Sequence, residues 1–329
     1  MEKLMEDLLE VQNLCIDFAG TAGGRKLDHV SFSVQKREFL CIVGESGCGK
    51  SITALAAMGL LPAGGRVTEG SILYDGRDLT RLSEKQLDEI RGRDITMIFQ
   101  DALTSLNPVF TIGNQMIESV RAHNSEISRK EAAQRSVQLL EKVGLPDPET
   151  LMAKYPFVLS GGQRQRVMIA MALASDTKLL IADEPTTALD VTIQAQIMTL
   201  LRSLQQENGM SVLLITHDLG LVAQMADRVL VMYAGQIVES AGVHELFHAP
   251  THPYTQALLK TVPSTLDGEE RVLMSIPGNV PEDYEKISGC RFRERCAFAH
   301  AACREPQELR DCRPGHCVRC VLAQENGHD

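Results

Sequence analysis

The chain has 329 residues, of which 44% are hydrophobic and 23% are charged, a composition typical of a globular protein with a sizeable core. The formal net charge of −10 argues against a nucleic-acid-binding protein, because such domains usually carry a basic face or a high pI. No uninterrupted apolar stretch reaches the ~18 residues that a membrane-spanning helix needs, so we expect a cytosolic protein.

The first hundred residues predict mainly strands, with one helix after a glycine-rich loop. Runs of β-branched and aromatic residues predict strands at 11–18, 30–34, 39–43, 70–76 and 95–100. The run at 39–43 is wholly apolar and leads into the glycine-rich loop, and the segment 51–61 that follows has helical character. A loop between a buried strand and a helix is therefore the first candidate site.

Helices and strands alternate in the rest of the chain. The apolar spacing from about Asn107 to Leu159 is helical. A helix, a buried strand, an amphipathic helix, a second buried strand and a hairpin are then predicted at 163–174, 178–185, 193–209, 211–218 and 229–240. This alternation predicts an α/β domain with a largely parallel sheet.

Two regions are predicted. We place the α/β domain at residues 1–250, with a helical subdomain at about 101–162. Prolines, charges and cysteines then predict a separate, loop-rich extension at 251–329, with its Cys-rich region at 290–320.

The glycine-rich loop carries the strongest local motif. Residues 44–51 read GESGCGKS and fit the pattern G-x-x-x-x-G-K-[ST]. Its glycines allow backbone N–H groups to wrap phosphates, and the following helix N-terminus favours negative charge. Lys50 can reach the β and γ phosphates of a nucleotide, and Ser51 can ligate Mg²⁺.

Two further motifs complete a phosphate-transfer set. The apolar strand at 179–183 ends in Asp183, which suits a Mg²⁺ ligand, and Glu184 follows as a candidate base for an attacking water. Residues 159–163, LSGGQ, place a serine and two glycines before a helix, which makes a second anion cradle. An ordinary helix N-cap is the alternative for that segment.

These motifs and their order resemble the nucleotide-binding domain of ABC ATPases across roughly residues 8–250. The resemblance implies an α/β fold: a RecA-like P-loop core with an antiparallel β-subdomain and an inserted helical subdomain, plus a small Cys-rich C-terminal appendage. It also implies that the protein binds ATP and Mg²⁺. The nucleotide-binding residues would be Phe18, which stacks on adenine, and Gly44, Glu45, Ser46, Gly47, Cys48, Gly49, Lys50, Ser51 and Ile52.

The same resemblance assigns the remaining roles by position. Glu184, His217 as the switch histidine and Gln100 of the Q-loop would be catalytic, and Ser51, Gln100 and Asp183 would hold Mg²⁺. LSGGQ would be the signature motif, which in this family closes over ATP bound to the opposite subunit. With the D-loop, it supplies Ser160, Gly161, Gly162, Gln163 and Asp190 to that ATP.

A narrower resemblance covers nearly the whole chain. Segments 100–116, 190–198, 248–259 and 289–303 look like those of ATPase subunits of dipeptide and oligopeptide importers. The resemblance implies a second, non-identical ABC ATPase subunit, two membrane permeases, an external solute-binding protein and a peripheral position on the cytoplasmic face of the membrane. A nickel or other solute importer of the same family is the alternative. A soluble ABC ATPase without a transport role is a second alternative, although such proteins usually carry coiled-coil inserts or tandem ATPase domains.

Six of the nine cysteines crowd into the last forty residues: Cys290, Cys296, Cys303, Cys312, Cys317 and Cys320. In a reducing cytosol such a cluster indicates a metal before it indicates disulfides. The resemblance to peptide-importer ATPases implies a [4Fe–4S] cluster on Cys290, Cys296, Cys303 and Cys320. Zn²⁺ is the alternative, because the two-residue spacing between Cys317 and Cys320 is one that zinc sites favour.

Overall fold

A computed structural model of the chain describes residues 6–19, 24–100, 105–124, 126–261 and 276–325. The predicted helical subdomain and C-terminal extension therefore each include residues outside the described ranges. The chain divides into two compact units: Met1–Arg81 with Ile215–Asp329, and Leu82–Leu214. Within the described ranges, no helix is both long enough and apolar enough to cross a bilayer.

The strands are numbered in chain order. They are β1 Asp7–Phe18, β2 Gly24–Gln35, β3 Phe39–Val43, β4 Gly65–Tyr74, β5 Arg77–Asp78, β6 Ile95–Ile98, β7 Leu179–Asp183, β8 Ser211–Ile215, β9 Arg228–Tyr233, β10 Gln236–Gly242, β11 Arg310–Arg313 and β12 His316–Val318.

The helices are numbered in the same way. They are α1 Lys50–Ala57, α2 Glu84–Asp88, α3 Ile112–Ala122, α4 Arg129–Lys142, α5 Pro148–Met152, α6 Gly161–Ala172, α7 Val191–Asn208, α8 Leu219–Met225, α9 Val243–His248, α10 Pro253–Leu259 and α11 Leu322–Glu325. Short 3-10 turns lie at Leu79–Arg81, Pro156–Val158, Tyr284–Lys286, Arg293–Arg295 and Ala301–Arg304.

The first unit contains two sets of hydrogen-bonded strands. One is an antiparallel sheet in the order β2-β1-β4-β5. In the other set the order is β11-β12-β10-β9-β3, where β3 and β9 are parallel and β9, β10, β12 and β11 are antiparallel to their neighbours. All five residues of β3 are buried, which explains its unbroken apolar sequence.

The second unit combines strands with a helical segment. Strands β8, β7 and β6 are successive neighbours, β6 and β7 are parallel, and every residue of β7 and β8 is buried. Helix α4 begins with a capping box between Ser128 and Glu131, and Thr111 caps α3 by accepting a hydrogen bond from the Asn114 N–H. The α/β class, the antiparallel subdomain and the helices predicted from Asn107 onward are confirmed.

A buried carboxylate in the first unit fixes the start of the C-terminal extension. Glu239 of β10 is fully buried and accepts hydrogen bonds from the N–H groups of Thr251, at 2.6 Å, and His252, at 3.0 Å. His316 of β12 lies 2.7 Å from the same carboxylate through Nε2. Strand β12 continues the sheet beyond β10, pairing Val318 with Glu239. The domain limits at residue 250 stay a prediction.

His252 is the N-cap of α10 and is almost completely buried. Its Nδ1 accepts a hydrogen bond from the Tyr254 N–H at 3.0 Å, so the ring must be neutral there. Burial, together with the positive charge of Arg319, lowers the pKa of His252 from its usual 6.5 to about 3. The folded protein therefore binds fewer protons here than the unfolded chain between these two pH values.

This pKa predicts acid destabilisation. As pH falls below about 6.5, the unfolded chain gains a proton at His252 and the folded protein does not, so stability falls with pH down to about 3. At pH 5.5 we expect a loss of about 1.4 kcal/mol from this residue. His252→Asn keeps a capping oxygen without titrating. Its melting temperature should therefore fall less than that of the wild type between pH 7.5 and 5.5, and an equal fall in both proteins would contradict the assignment.

Candidate nucleotide-binding site

The predicted phosphate loop connects β3 to α1 as the sequence indicates. Gly44, Gly47 and Gly49 have φ angles of 154°, 79° and 104°, which side-chain-bearing residues rarely adopt. A Cβ at Gly44 would lie 2.2 Å from the carbonyl oxygen of Met232, and one at Gly49 would lie 2.7 Å from Leu27 Cδ2. The loop therefore requires glycine both for its conformation and for its close packing.

Lys50 is folded over this loop. Its side chain is buried, and Nζ donates hydrogen bonds to the carbonyl oxygens of Gly44, at 2.8 Å, and Glu45, at 3.0 Å. Thr53, one turn into α1, donates its hydroxyl to the Gly49 carbonyl at 3.0 Å. The ammonium group thus lies on the carbonyl side of the loop, within reach of an anion that the loop would surround.

Contacts with the C-terminal extension also hold the loop, and sequence reasoning did not anticipate them. The Glu45 N–H donates to Tyr254 Oη at 2.9 Å. The Glu45 carboxylate makes two hydrogen bonds with the Arg295 guanidinium, at 2.7 and 2.9 Å. The PYTQALL segment had marked a family resemblance, but no pattern in the sequence connects Arg295 with residue 45.

His217 and Phe18 also belong to the first unit. Thr216 donates its N–H to the Ile42 carbonyl at 3.2 Å, which brings the chain before His217 beside the end of β3. The His217 side chain is exposed. Phe18, the last residue of β1, is half-buried and pairs with Gly65 of β4, where a Cβ would lie 2.9 Å from the Phe18 ring. Its ring therefore lies against the main chain of β4.

In the second unit, Gln100 and Glu184 come together at one sheet edge. Ile98 of β6 pairs with Ala182 of β7, and Gln100 and Glu184 each follow two residues later in the chain. Gln100 Nε2 donates to Glu184 Oε2 at 2.9 Å, and the Thr187 hydroxyl donates to the same oxygen at 3.0 Å. Glu184 has a φ of 44°, a strained conformation that its surroundings must impose. Asp183, just before it, is buried.

The segment 159–163 lies against the segment that begins α7. Ser160 caps α6 by accepting from the Gln163 N–H, and Gln163 accepts from the Ser160 N–H at 3.0 Å, which forms a capping box. A Cβ at Gly161 would lie 3.0 Å from Leu189 Cδ2, and one at Gly162 would lie 2.8 Å from Ile193 Cγ2. Asp190 caps α7 through the Ile193 N–H at 3.0 Å. The same local geometry therefore suits both interpretations of this segment, an ordinary helix N-cap and an anion cradle.

All nine cysteines lie within the described residues and are free thiols. Burial, together with the negative charges of Cys320, Cys303 and Cys296, raises the pKa of Cys290 to about 11. Burial also raises the pKa of Cys320, and the negative charges of Cys296 and Cys303 contribute to this rise. The four cysteines that the resemblance selected are therefore close enough to repel one another as thiolates.

The other two tail cysteines have different partners. Cys312 donates its thiol to the His316 carbonyl oxygen at 3.2 Å, and Cys317 donates to Asp311 Oδ1 at 3.0 Å. Burial, together with the Asp311 carboxylate, raises the pKa of Cys317 to about 12. The structure thus separates Cys312 and Cys317 from the group of four.

A strand, glycine loop and helix surround a buried lysine in one unit. In the other unit, a buried strand leads into two acids, and the LSGGQ helix start lies against the segment that begins α7. Together with the antiparallel subdomain, these features define the nucleotide-binding cassette of the ABC class.

Comparisons with known proteins also indicate a nucleotide-binding cassette of the ABC class. The family described as ABC transporter matches residues 27–187, and the family described as Oligopeptide/dipeptide transporter, C-terminal region, matches residues 238–303. A dimeric post-hydrolysis structure of the ATP-binding cassette MJ0796, bound to ADP and Pi, is similar with a TM-score of 0.64 and 28% identity, covering 71% of this chain and 98% of that one. The structure of cbiO1 from Clostridium perfringens gives a TM-score of 0.63 with 30% identity, covering 74% of this chain and 92% of that one.

Two relatives match over almost their whole length. The dipeptide transport ATP-binding protein DppD of Escherichia coli is 50% identical over 298 residues, covering 90% of each chain. The oligopeptide transport ATP-binding protein AppD of Bacillus subtilis is 50% identical over 326 residues, covering 98% of this chain and 99% of the relative. The chain belongs to the ABC transporter ATP-binding proteins of the dipeptide/oligopeptide importer family and is an ABC transporter ATPase.

The contact between Gly162 and Ile193 gives a stability prediction for the second unit. Gly162→Ala places a methyl group 2.8 Å from Ile193 Cγ2, and we expect this overlap to destabilise the protein by about 1–3 kcal/mol. Ile193→Ala removes that contact, so the double variant should lose less stability than the sum of the two single variants. Denaturant titration of all four proteins measures the coupling, and strict additivity would contradict it.

Proposed function

We propose that this chain binds and hydrolyses MgATP to power the uptake of di- or oligopeptides through an ABC importer, by ATP-driven closure and reopening of an ATPase dimer. The main support is the phosphate loop with Lys50 folded over it. This loop occurs in a chain that is 50% identical to peptide-transport ATP-binding proteins along almost its entire length. The C-terminal family match at 238–303 supports peptide over other solutes.

ATP binding would require a rearrangement of the Lys50 hydrogen bonds. Its ammonium now contacts the carbonyl oxygens of Gly44 and Glu45, and negatively charged β and γ phosphates are stronger partners than neutral carbonyls. The left-handed glycines of the loop and the α1 N-terminus supply N–H donors to the same anion. Mg²⁺, held by Ser51, Gln100 and Asp183, would neutralise charge on the transferred phosphate.

Glu184 is proposed as the general base. Hydrogen bonds from Gln100 and Thr187 fix one oxygen of its carboxylate, at 2.9 and 3.0 Å, and would orient the group toward an attacking water. Because Gln100 would touch both the base and Mg²⁺, its movement would disturb hydrolysis directly. His217 would contact the γ phosphate from its exposed position after β8.

The proposed assembly supplies the second half of the ATP site. Ser160, Gly161, Gly162, Gln163 and Asp190 would contact ATP bound by another ABC ATPase, which we propose to be a paralogue. The MJ0796 cassette is described as dimeric, which supports a paired arrangement. Two membrane permeases and an external solute-binding protein would complete the importer and hold this chain at the cytoplasmic face of the membrane.

Glu184→Gln tests the general base. The amide keeps the side-chain shape but cannot accept a proton, so ATP turnover by the assembled transporter should fall by ~10²–10⁴ while ATP remains bound. Glu149→Gln, which changes an exposed acid in α5, is the matched control and should turn over ATP normally. Lys50→Ala should instead abolish ATP binding. Where the partner ATPase carries the same motif, the Glu184→Gln substitution is made in both subunits. Normal turnover would then refute the role of Glu184 as general base.

We further propose that Cys290, Cys296, Cys303 and Cys320 hold a [4Fe–4S] cluster that fixes the loop-rich tail. Cys290 and Cys320 each have pKa values that the other clustered thiols influence, so the four lie near one another, as one metal group bound by all four requires. A cube takes one thiolate per iron, so four cysteines match its ligand number. The resemblance to peptide-importer ATPases favours the cluster over Zn²⁺, which four thiolates could also hold.

Elemental analysis tests the cluster. Anaerobically purified protein should contain about four iron atoms and matching sulfide per chain, with a broad visible absorbance. Cys296→Ser should reduce both. Cys312→Ser is the matched control and should change neither, because Cys312 contacts the His316 carbonyl instead of the four thiols. Stoichiometric zinc without iron, in protein kept from air throughout, would overturn the proposal.

A further inference from the structure

The phosphate loop contains one carboxylate, that of Glu45. Glu45 directly follows Gly44, and its side chain is partly exposed. A nucleotide bound by this loop brings several negative charges close to that carboxylate. Unless it is neutralised, Glu45 would oppose nucleotide binding by like-charge repulsion.

Arg295 neutralises this carboxylate from the C-terminal extension. Nη1 and Nη2 donate to the two carboxylate oxygens at 2.7 and 2.9 Å, the bidentate geometry that gives the strongest charge-assisted pairs. The Arg295 side chain is only 7% exposed. Its remaining donors are also used: Nε donates to the Pro277 carbonyl at 2.8 Å, and Nη2 to the Gly278 carbonyl at 3.1 Å. The guanidinium is therefore fixed from both sides.

Aromatic packing adds to this restraint. The guanidinium carbon lies 5.7 Å from the centre of the Tyr233 ring and 5.9 Å from that of Phe292. Tyr254 packs against both rings, at 4.7 and 5.3 Å, and accepts the Glu45 N–H through its hydroxyl. The backbone and the side chain of Glu45 thus both contact groups that the extension positions.

The backbone of Arg295 lies between two of the clustered cysteines. It ends the 3-10 turn Arg293–Arg295, which Cys290 precedes and Cys296 follows. The Arg293 N–H donates to the Cys290 carbonyl at 3.2 Å, and the Arg295 N–H to the Phe292 carbonyl at 3.0 Å. Any group that holds both cysteines also holds this turn, and with it the position of the guanidinium.

We propose that Arg295 is a positioning residue of the ATP site: it neutralises Glu45 and holds the phosphate loop open to the triphosphate, and the metal-loaded cysteine tail keeps it in place. The proposal rests on the ATP-binding function of the loop. It adds a regulatory consequence, because loss of the tail's metal group would release Arg295 and lower the affinity for ATP without altering a residue of the loop.

The first test compares ATP affinity in full-length variants, measured by calorimetry with MgATP. Arg295→Ala leaves the Glu45 carboxylate unpaired, and we expect affinity to fall about tenfold or more. The loss should shrink at high ionic strength, because salt screens the repulsion. The control is Arg293→Ala, in the same turn, since Arg293 donates to the Ser288 carbonyl and its loss should leave affinity unchanged.

A double variant separates charge from folding. Glu45→Gln combined with Arg295→Ala removes both charges, so affinity should recover most of what Arg295→Ala loses even where the melting temperature stays low. Absence of recovery, or a loss that does not depend on salt, would show that Arg295 is only a structural support and would overturn the proposal.

The second test removes the metal group. Chelation under air should lower the ATP affinity of the wild type, whereas Arg295→Ala should show little further loss, and equal losses in both would contradict the coupling. Lys50→Ala distinguishes the two proposals. Normal ATP binding by Lys50→Ala would refute the ATP site itself. Loss of binding by Lys50→Ala with unchanged binding by Arg295→Ala would refute only the role of Arg295.

Discussion

Close packing of Gly44 against strand β9 is the constraint on which the phosphate loop depends. Val43 of β3 pairs with Val231 of β9, so the next residue of each parallel strand, Gly44 and Met232, must also be neighbours. A Cβ at Gly44 would lie 2.2 Å from the Met232 carbonyl oxygen. Only glycine allows the chain to leave the sheet at this point and turn around an anion while β3 and β9 stay paired.

The turn after β9 supports the loop from the same side. Gly235 donates its N–H to the Cys48 carbonyl at 2.9 Å and accepts from the Asp28 N–H at 3.0 Å. The C-terminal extension in turn holds this turn, because Arg291 donates to the Ala234 carbonyl and pairs with Asp28 at 2.7 Å. The extension is therefore part of the scaffold of the phosphate loop, and its Arg291 and Arg295 are each paired with a carboxylate.

Sequence reasoning succeeded where one local pattern determines the structure. The apolar runs of β3, β7 and β8, the glycine loop and the LSGGQ helix start each follow from adjacent residues, and the structure confirms these elements. Gln100 and Glu184 are 84 positions apart. The acidic end of an apolar strand indicated Glu184, whereas only the resemblance to a known family indicated Gln100.

The extension was harder to predict, because its contacts join distant segments. The bonds from Glu45 to Arg295 span 250 positions, and those from His316 to Glu239 span 77. A buried arginine and a buried histidine look like ordinary surface residues in a sequence, and only pairing across the fold distinguishes them. Only the resemblance selected the four clustered thiols, because spacing in the sequence could not exclude Cys317 as a metal ligand. In the structure, the Cys317 thiol donates to Asp311 instead.

The proposed coupling must act in both directions. If a metal group on the tail raises ATP affinity by some factor, bound ATP must strengthen retention of that group by the same factor, because the two equilibria share one free energy of coupling. ATP bound in the phosphate loop would then oppose the loss of metal from the tail. The tail would lose its metal most readily after product release. The extension would thus gain stability from the same ligand whose binding it supports.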